Sequence, residues 1–306
     1  MATISYRKQL QKIGIGPHEA VSYKAFYSRP NSLRQAMRSM DAPPSRQWKQ
    51  VSDIFRDDFW TDEVQGVAWN GSHWIFSCNA NQAKPGHEDK AIYVFDPAQG
   101  VGDGAWVKRI KYIDVPHPIA STESDCHWGQ LTYHDGLVHV SHFWQEDSPK
   151  YPESNVVVFK SQGANLSFER WVELERPPKD DGSTGGRVEF QGINPWDGLY
   201  YTYRSGEFFK HDLAGKYIGE KLILDPPPTK VQGACFSPNG HLYVASNSTL
   251  PEDERYQTIY YYSPLNGYRF GVIPVLAEEL MPDQELEGIC YADVGFSDGR
   301  RAQIHA

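Results

Sequence analysis

The 306-residue sequence has only four cysteines, no long apolar stretch and no basic stripe, and each shortage removes a class of function. Cys78, Cys126, Cys235 and Cys290 lie far apart and form no CxxC pair, so zinc-ribbon and thioredoxin readings have no support. No apolar run approaches the roughly 18 residues of a membrane span. The opening MATISYRKQLQKIG lacks the apolar segment of a secretory signal. A cytoplasmic protein that avoids the membrane and keeps its thiols reduced is therefore expected. A formal net charge of −9 argues against a nucleic-acid partner, because neutralising phosphates needs clustered Lys and Arg. EF-hand and zinc-protease motifs are missing as well.

What the chain does have is Gly, Pro and aromatic residues: 26 Gly, 21 Pro and 13% Phe, Trp and Tyr, a composition suited to many short strands joined by turns. One motif recurs five times, a polar residue, Gly, a short apolar strand, a turn and a second strand. It reads VQGVAWNGSHWIFSCN from Val64, HWGQLTYHDGLVHVSH from His127, FQGINPWDGLYYTYR from Phe190, VQGACFSPNGHLYVASN from Val231 and LEGICYADVGFSDGRRAQIHA from Leu286. Aligned on Gly66, Gly129, Gly192, Gly233 and Gly288, the repeats have the spacing of β-propeller blades. The fold class expected is an all-β, single-domain propeller over 1–306, with five blades and six as the alternative. AIYVFD, NVVVFK, GEFFKHD and TIYYYSP supply third strands to the first four repeats. The fifth repeat runs out of chain, so residues 1–60 are expected to close the ring, with strands from Ala20 and Trp48 and a short helix from Ser32 lying outside it. Residues 61–306 carry the repeats.

A hairpin reverses direction, so the start of each first strand and the end of each second strand share one face of the ring. The residues before each Gly are Gln65, Trp128, Gln191, Gln232 and Glu287; those ending the second strands are Asn79, His142, Arg204, Asn247 and His305. Glu63, Glu189, Glu285 and Asp125 stand close by in sequence. The Gln residues either bond neighbouring blades or hold a ligand. Glu287, the lone carboxylate of the first set, suits acid or base work in a narrow mouth. His142 would partner it in proton transfer, and Arg204 would bind a carboxylate or phosphate. Gln65, Trp128, Gln191, Gln232, Asn79 and Asn247 would contact substrate. Of the five histidines between His117 and His142, His139 and His142 fall on opposite faces of a strand, which speaks against a transition-metal pair. Cofactors are not called for, and calcium is the ion the oxygen donors would suit. The expected partner is a small polar or anionic molecule.

VQGVAWNGSHWIFSCN resembles the Gln-Gly-Leu strand-turn-strand unit of plant-type glutaminyl cyclases, and ELEGICYADV is similar to the Glu-Gly units of phytase-like and lactonase-type propellers. QGACFSPNGHLYVASN is similar to repeats of the lactonase and NHL classes. The cyclase resemblance implies proton transfer by a Glu at the channel mouth without a transition metal, a role that falls on Glu287. The lactonase metal ligands are not matched, since Gln191 and Gln232 stand where Asn or Glu is expected. The function expected is a hydrolase, cyclase or lyase acting at the mouth of the channel. The alternative is a non-catalytic carbohydrate- or peptide-binding propeller, or an interaction scaffold.

Overall fold

The computed structural model describes residues 63–79, 90–99, 105–117, 126–144, 154–183, 185–238, 240–247, 256–276, 286–292 and 303–305. The first blade holds β1 (Val64–Trp69), β2 (Trp74–Cys78), β3 (Ala91–Phe95) and β4 (Trp106–Lys111). The second holds β5 (Cys126–His134), β6 (Leu137–Trp144), β7 (Ser154–Gln162) and β8 (Asn165–Glu173). The third comprises β9 (Glu189–Ile193), β10 (Tyr200–Arg204), β11 (Glu207–His211) and β12 (Tyr217–Ile223). The fourth comprises β13 (Val231–Phe236), β14 (Leu242–Ser246), β15 (Tyr256–Tyr262) and β16 (Arg269–Leu276). Each is an antiparallel sheet with its strands in chain order. β17 (Cys290–Ala292) and β18 (Gln303–His305) pair as a separate two-stranded sheet.

The five-blade expectation is corrected to four complete blades plus this hairpin sheet among the described residues. The strands and helix expected within 1–60 lie outside the described residues. The only helical element described is a single 3-10 turn, Tyr112–Asp114, and no described helix is long and apolar enough to cross a membrane.

Short turns make the blades. Asp135 and Gly136 have φ of 48° and 80°, and Ser205 and Gly206 have 50° and 91°, the positive pair that matches a two-residue turn to strand twist. Apolar residues then alternate between the two faces of each sheet and pack blade on blade. Ile75, Ile92 and Val94 meet Trp128, Val140 and Phe159 between the first and second blades. Val158 and Val172 meet Phe190 and Tyr200 between the second and third. Tyr201 and Phe208 meet Phe236 and Tyr260 between the third and fourth. Tyr243 and Phe270 meet Ile289 and Ile304 of the hairpin sheet, whose Cys290 and Ala292 pack in turn on Val67 of β1. All four cysteines are buried. The first strands meet around one axis, in the order β1, β5, β9, β13, β17 and back to β1.

That approach is tight enough to forbid side chains. A Cβ on Gly288 would lie 2.5 Å from Gly66 Cα, and one on Gly233 would lie 2.6 Å from the Glu287 carbonyl oxygen. Gly is therefore required at Gly66, Gly233 and Gly288, where backbones touch, whereas a Cβ on Gly192 would meet nothing nearer than 3.5 Å.

Candidate functional site

The site begins with a recurring irregularity. Val64 faces Cys78 but Gly66 faces Ser77, so Gln65 is an extra residue in β1. The same step leaves Gln191 extra in β9 and Gln232 extra in β13. A bulge of this kind bends its strand and re-aims one side chain. Three glutamines are thereby turned toward one cavity of about 430 Å³ at the mouth of the axis, where they meet Glu287.

The second blade departs from this pattern. Trp128 faces His142 and Leu131 faces Val140, so Gly129 takes the bulge position and Gln130 falls where the other repeats have their axial Gly. Two consequences follow. First, the cavity loses a side chain on this flank and reaches past Gly129 to Ser141, Phe143 and His127. Second, Gln130 crosses the axis. Its amide nitrogen donates to the carbonyls of Leu131 (3.2 Å), Ala234 (3.1 Å) and Ile289, and its Oε1 accepts from the Ile289 N–H at 3.3 Å. Gln130 is buried and floors the mouth cavity. A second cavity of about 230 Å³, lined by residues such as Leu131, Cys235 and Cys290, shares no wall with the first.

The electrostatics of the mouth are one-sided. Glu63, Glu189 and Glu287 line it, and among the described residues the lining contains no Lys or Arg. Gln232 donates to Glu287 Oε1 at 3.0 Å. Arg187 stands behind, 3.9 Å from Glu189 and 4.5 Å above the Phe143 ring, whose stacked partner is His127 at 4.5 Å. Burial, helped by the nearby Lys90 ammonium, holds His127 down to about 4, so it is neutral at neutral pH. Its Nδ1 is buried with no hydrogen-bond partner among the described residues. Gln191, only 2% exposed, likewise has an Oε1 without a partner.

Of the residues expected at the site, Gln65, Gln191, Gln232 and Glu287 come together, joined by Glu63 and Glu189. The others stand elsewhere. Trp128 is wholly buried between blades because the offset in β5 turns it away from the mouth. His142, paired with Trp128, shares that fate: it stacks on Tyr112 (5.6 Å, 5°), bonds the Tyr112 hydroxyl at 3.2 Å, and burial pushes its pKa well down. Arg204 lies one residue beyond the position equivalent to Asn79 and serves the blade exterior, donating to the carbonyls of Pro177 (2.9 Å) and Gly186 (3.0 Å) while lying over Phe209. Asn79 clamps neighbouring blades, exchanging two 2.7 Å bonds with the Trp128 backbone. Asn247 lies outside the cavity lining, its N–H bonded to the Lys230 carbonyl at 3.4 Å. The His305 side chain and residues 125 and 285 are outside the described set.

Sequence reasoning passed over His127 and Gln130. The signal was the HWGQL repeat, where a polar residue follows Gly while the other four repeats have Val, Ile, Ala and Ile. Among the described residues no three His, Cys, Asp or Glu side chains are placed to hold one metal ion.

No protein-family profile and no curated protein matches the chain. Solved structures do, at the level of fold. An exo-β-1,3-galactanase from Clostridium thermocellum is 12% identical over 78% of this chain and 52% of its own, with a TM-score of 0.49. The Swd1 β-propeller domain of Myceliophteria thermophila is 10% identical over 74% of this chain and 76% of its own, TM-score 0.36. A virginiamycin B lyase from Staphylococcus aureus is 11% identical over 76% and 89%, TM-score 0.38. The chain thus spans about half the length of the galactanase. These likenesses extend to the all-β propeller architecture and no further, and the resemblance to glutaminyl cyclases and phytases gains no support from them.

Proposed function

We propose that the chain is an enzyme acting on a small polar molecule in the mouth cavity by acid–base chemistry. Glu287 and His127 are the proton-transfer groups, and Gln65, Gln191 and Gln232 orient the substrate. The observation that supports this reading is the asymmetry of the ring: where the other repeats bring Gln65, Gln191, Gln232 and Gly129 to the cavity, the last brings a carboxylate, Glu287, and the neutral imidazole of His127 lines the same cavity. A neutral imidazole can take a proton and a carboxyl group can give or take one, provided both reach the same ligand. The amides supply directional donors and acceptors without competing charge.

A screen of glycosides, lactones, amides and glutaminyl peptides tests it directly. On any substrate turned over, Glu287→Gln and His127→Gln should each lower kcat by roughly 10²–10⁴-fold with the melting temperature retained. Unchanged turnover in both variants overturns the assignment. The Gln232 bond to Glu287 favours a second reading, a binding module in which the carboxylate is held as a fixed acceptor. That reading predicts saturable ligand binding with no turnover in any variant.

A further inference from the structure

We propose, building on the reading of the mouth cavity as the functional site, that Gln232 is a positioning residue for Glu287. Its side-chain amide holds that carboxyl group in the ionised form and in one orientation, so Glu287 enters the chemistry as the base. Gln232 Nε2 donates to Glu287 Oε1 at 3.0 Å. A hydrogen bond given to a carboxylate favours its charged form and makes it a poorer proton donor. Gln65 and Gln191 line the same cavity, yet among the described residues no such bond joins either of them to Glu287. Gln232 thus has a task beyond orienting the substrate, which the other two bulge glutamines do not share.

The backbone holds this pair in place. Gln232 is the extra residue of β13, between Val231, which faces Ser246, and Gly233, which faces Ala245. Lys230 fixes the entry to the bulge: its φ of 46° lies in the left-handed region, and its carbonyl accepts the Asn247 N–H at 3.4 Å. Glu63, with φ of 55°, stands at the same place two residues before Gln65 and accepts the Asn79 N–H at 3.0 Å. The bent entry therefore belongs to the repeat, whereas the bond to a carboxylate belongs to the fourth blade. Between the fourth and fifth repeats the axial backbones are in contact, since a Cβ on Gly233 would lie 2.6 Å from the Glu287 carbonyl oxygen and 3.4 Å from Gly288 Cα. Gln232 and Glu287 thus spring from backbones that touch, the support a preoriented acid–base group needs.

NMR titration of the full chain, with isotope labels in the Glu carboxyl groups and the Gln side-chain amides, tests this without a substrate. Glu287→Gln and through-bond connections to the backbone identify the two signals. In the unaltered protein the Gln232 side-chain N–H signals should shift in step with the titration of Glu287. In Gln232→Met the Glu287 carboxylate should take up its proton about tenfold or more tightly, because the donor to the charged form is gone. Gln65→Met changes the same cavity without removing that donor and should move the titration far less. Gln232 signals indifferent to Glu287, or equal shifts in the Gln232 and Gln65 variants, overturn the assignment, and the first of these needs no folded Gln232 variant. On any substrate turned over, the acid limb of the kcat profile should move to higher pH in Gln232→Met. If the NMR response is as expected and no screen yields turnover, Gln232 still positions Glu287 as the fixed acceptor of a binding module: the proposed enzyme falls and this inference stands.

Discussion

Two histidines fifteen positions apart show how little a residue's identity says about its task. His127 and His142 are both held neutral by burial, yet one lines the mouth cavity and the other is stacked against Tyr112 in the wall between blades. Alternation along a strand decides between them, since neighbouring side chains point to opposite faces. Arg204 makes the same point for charge. In the sequence it reads as an anion receptor; in the fold its guanidinium joins the carbonyls of Pro177 and Gly186 and covers Phe209. Arg204→Met should therefore destabilise the protein by about 1–3 kcal/mol, read from urea denaturation, and leave kcat unchanged on any substrate that the screen finds. A variant of normal stability that no longer turns substrate over would return Arg204 to the site. Gln65, Gln191, Gln232 and Glu287 were legible in the sequence because each immediately precedes a repeated Gly, and at Gly66, Gly233 and Gly288 that Gly cannot be replaced without moving backbone.

At the level of the strand, one slip of register accounts for most of what the sequence hid. Aligning the second repeat on Gly129 places Trp128 at the mouth; the pairing of Trp128 with His142 places Gly129 in the bulge and Gln130 on the axis. A single-residue shift flips every side chain between faces, and bulges leave no compositional mark that distinguishes the extra residue from its neighbours. The axial glycines themselves were plain, and their reason is steric. Gly288→Ala places a methyl 2.5 Å from Gly66 Cα, with backbone rather than a pliable side chain in the way. The expected cost is at least the roughly 1–3 kcal/mol of an overpacked core, and the melting temperature should drop clearly. Gly71→Ala, where a Cβ would meet nothing within 4 Å but φ is 94°, should cost less. Equal loss at both positions would mean that strain at φ, and not contact between first strands, governs these glycines.

Across the whole molecule, a set of buried histidines ties stability to pH. Burial lowers His127 to about 4 and His139 to about 3 from an ordinary 6.5, and depresses His117, His142 and His211 in the same direction. Because the folded values lie below the unfolded ones, the unfolded chain takes up protons first as pH falls. Their contribution is complete above about 6.5 and is lost progressively down to about pH 3. The urea midpoint should thus be lower at pH 5 than at pH 7.5; a midpoint that holds or rises on acidification contradicts this. The propeller class was visible in the spacing of repeats, whereas the depth of these histidines depends on which faces pack between blades. Gln130 carries one more implication. Because its amide ties together segments from opposite sides of the ring, Gln130 stands across the axis at the inner end of the mouth cavity. On the proposed reading, product and substrate would then contend for the same threshold, and a polymer would present only its end.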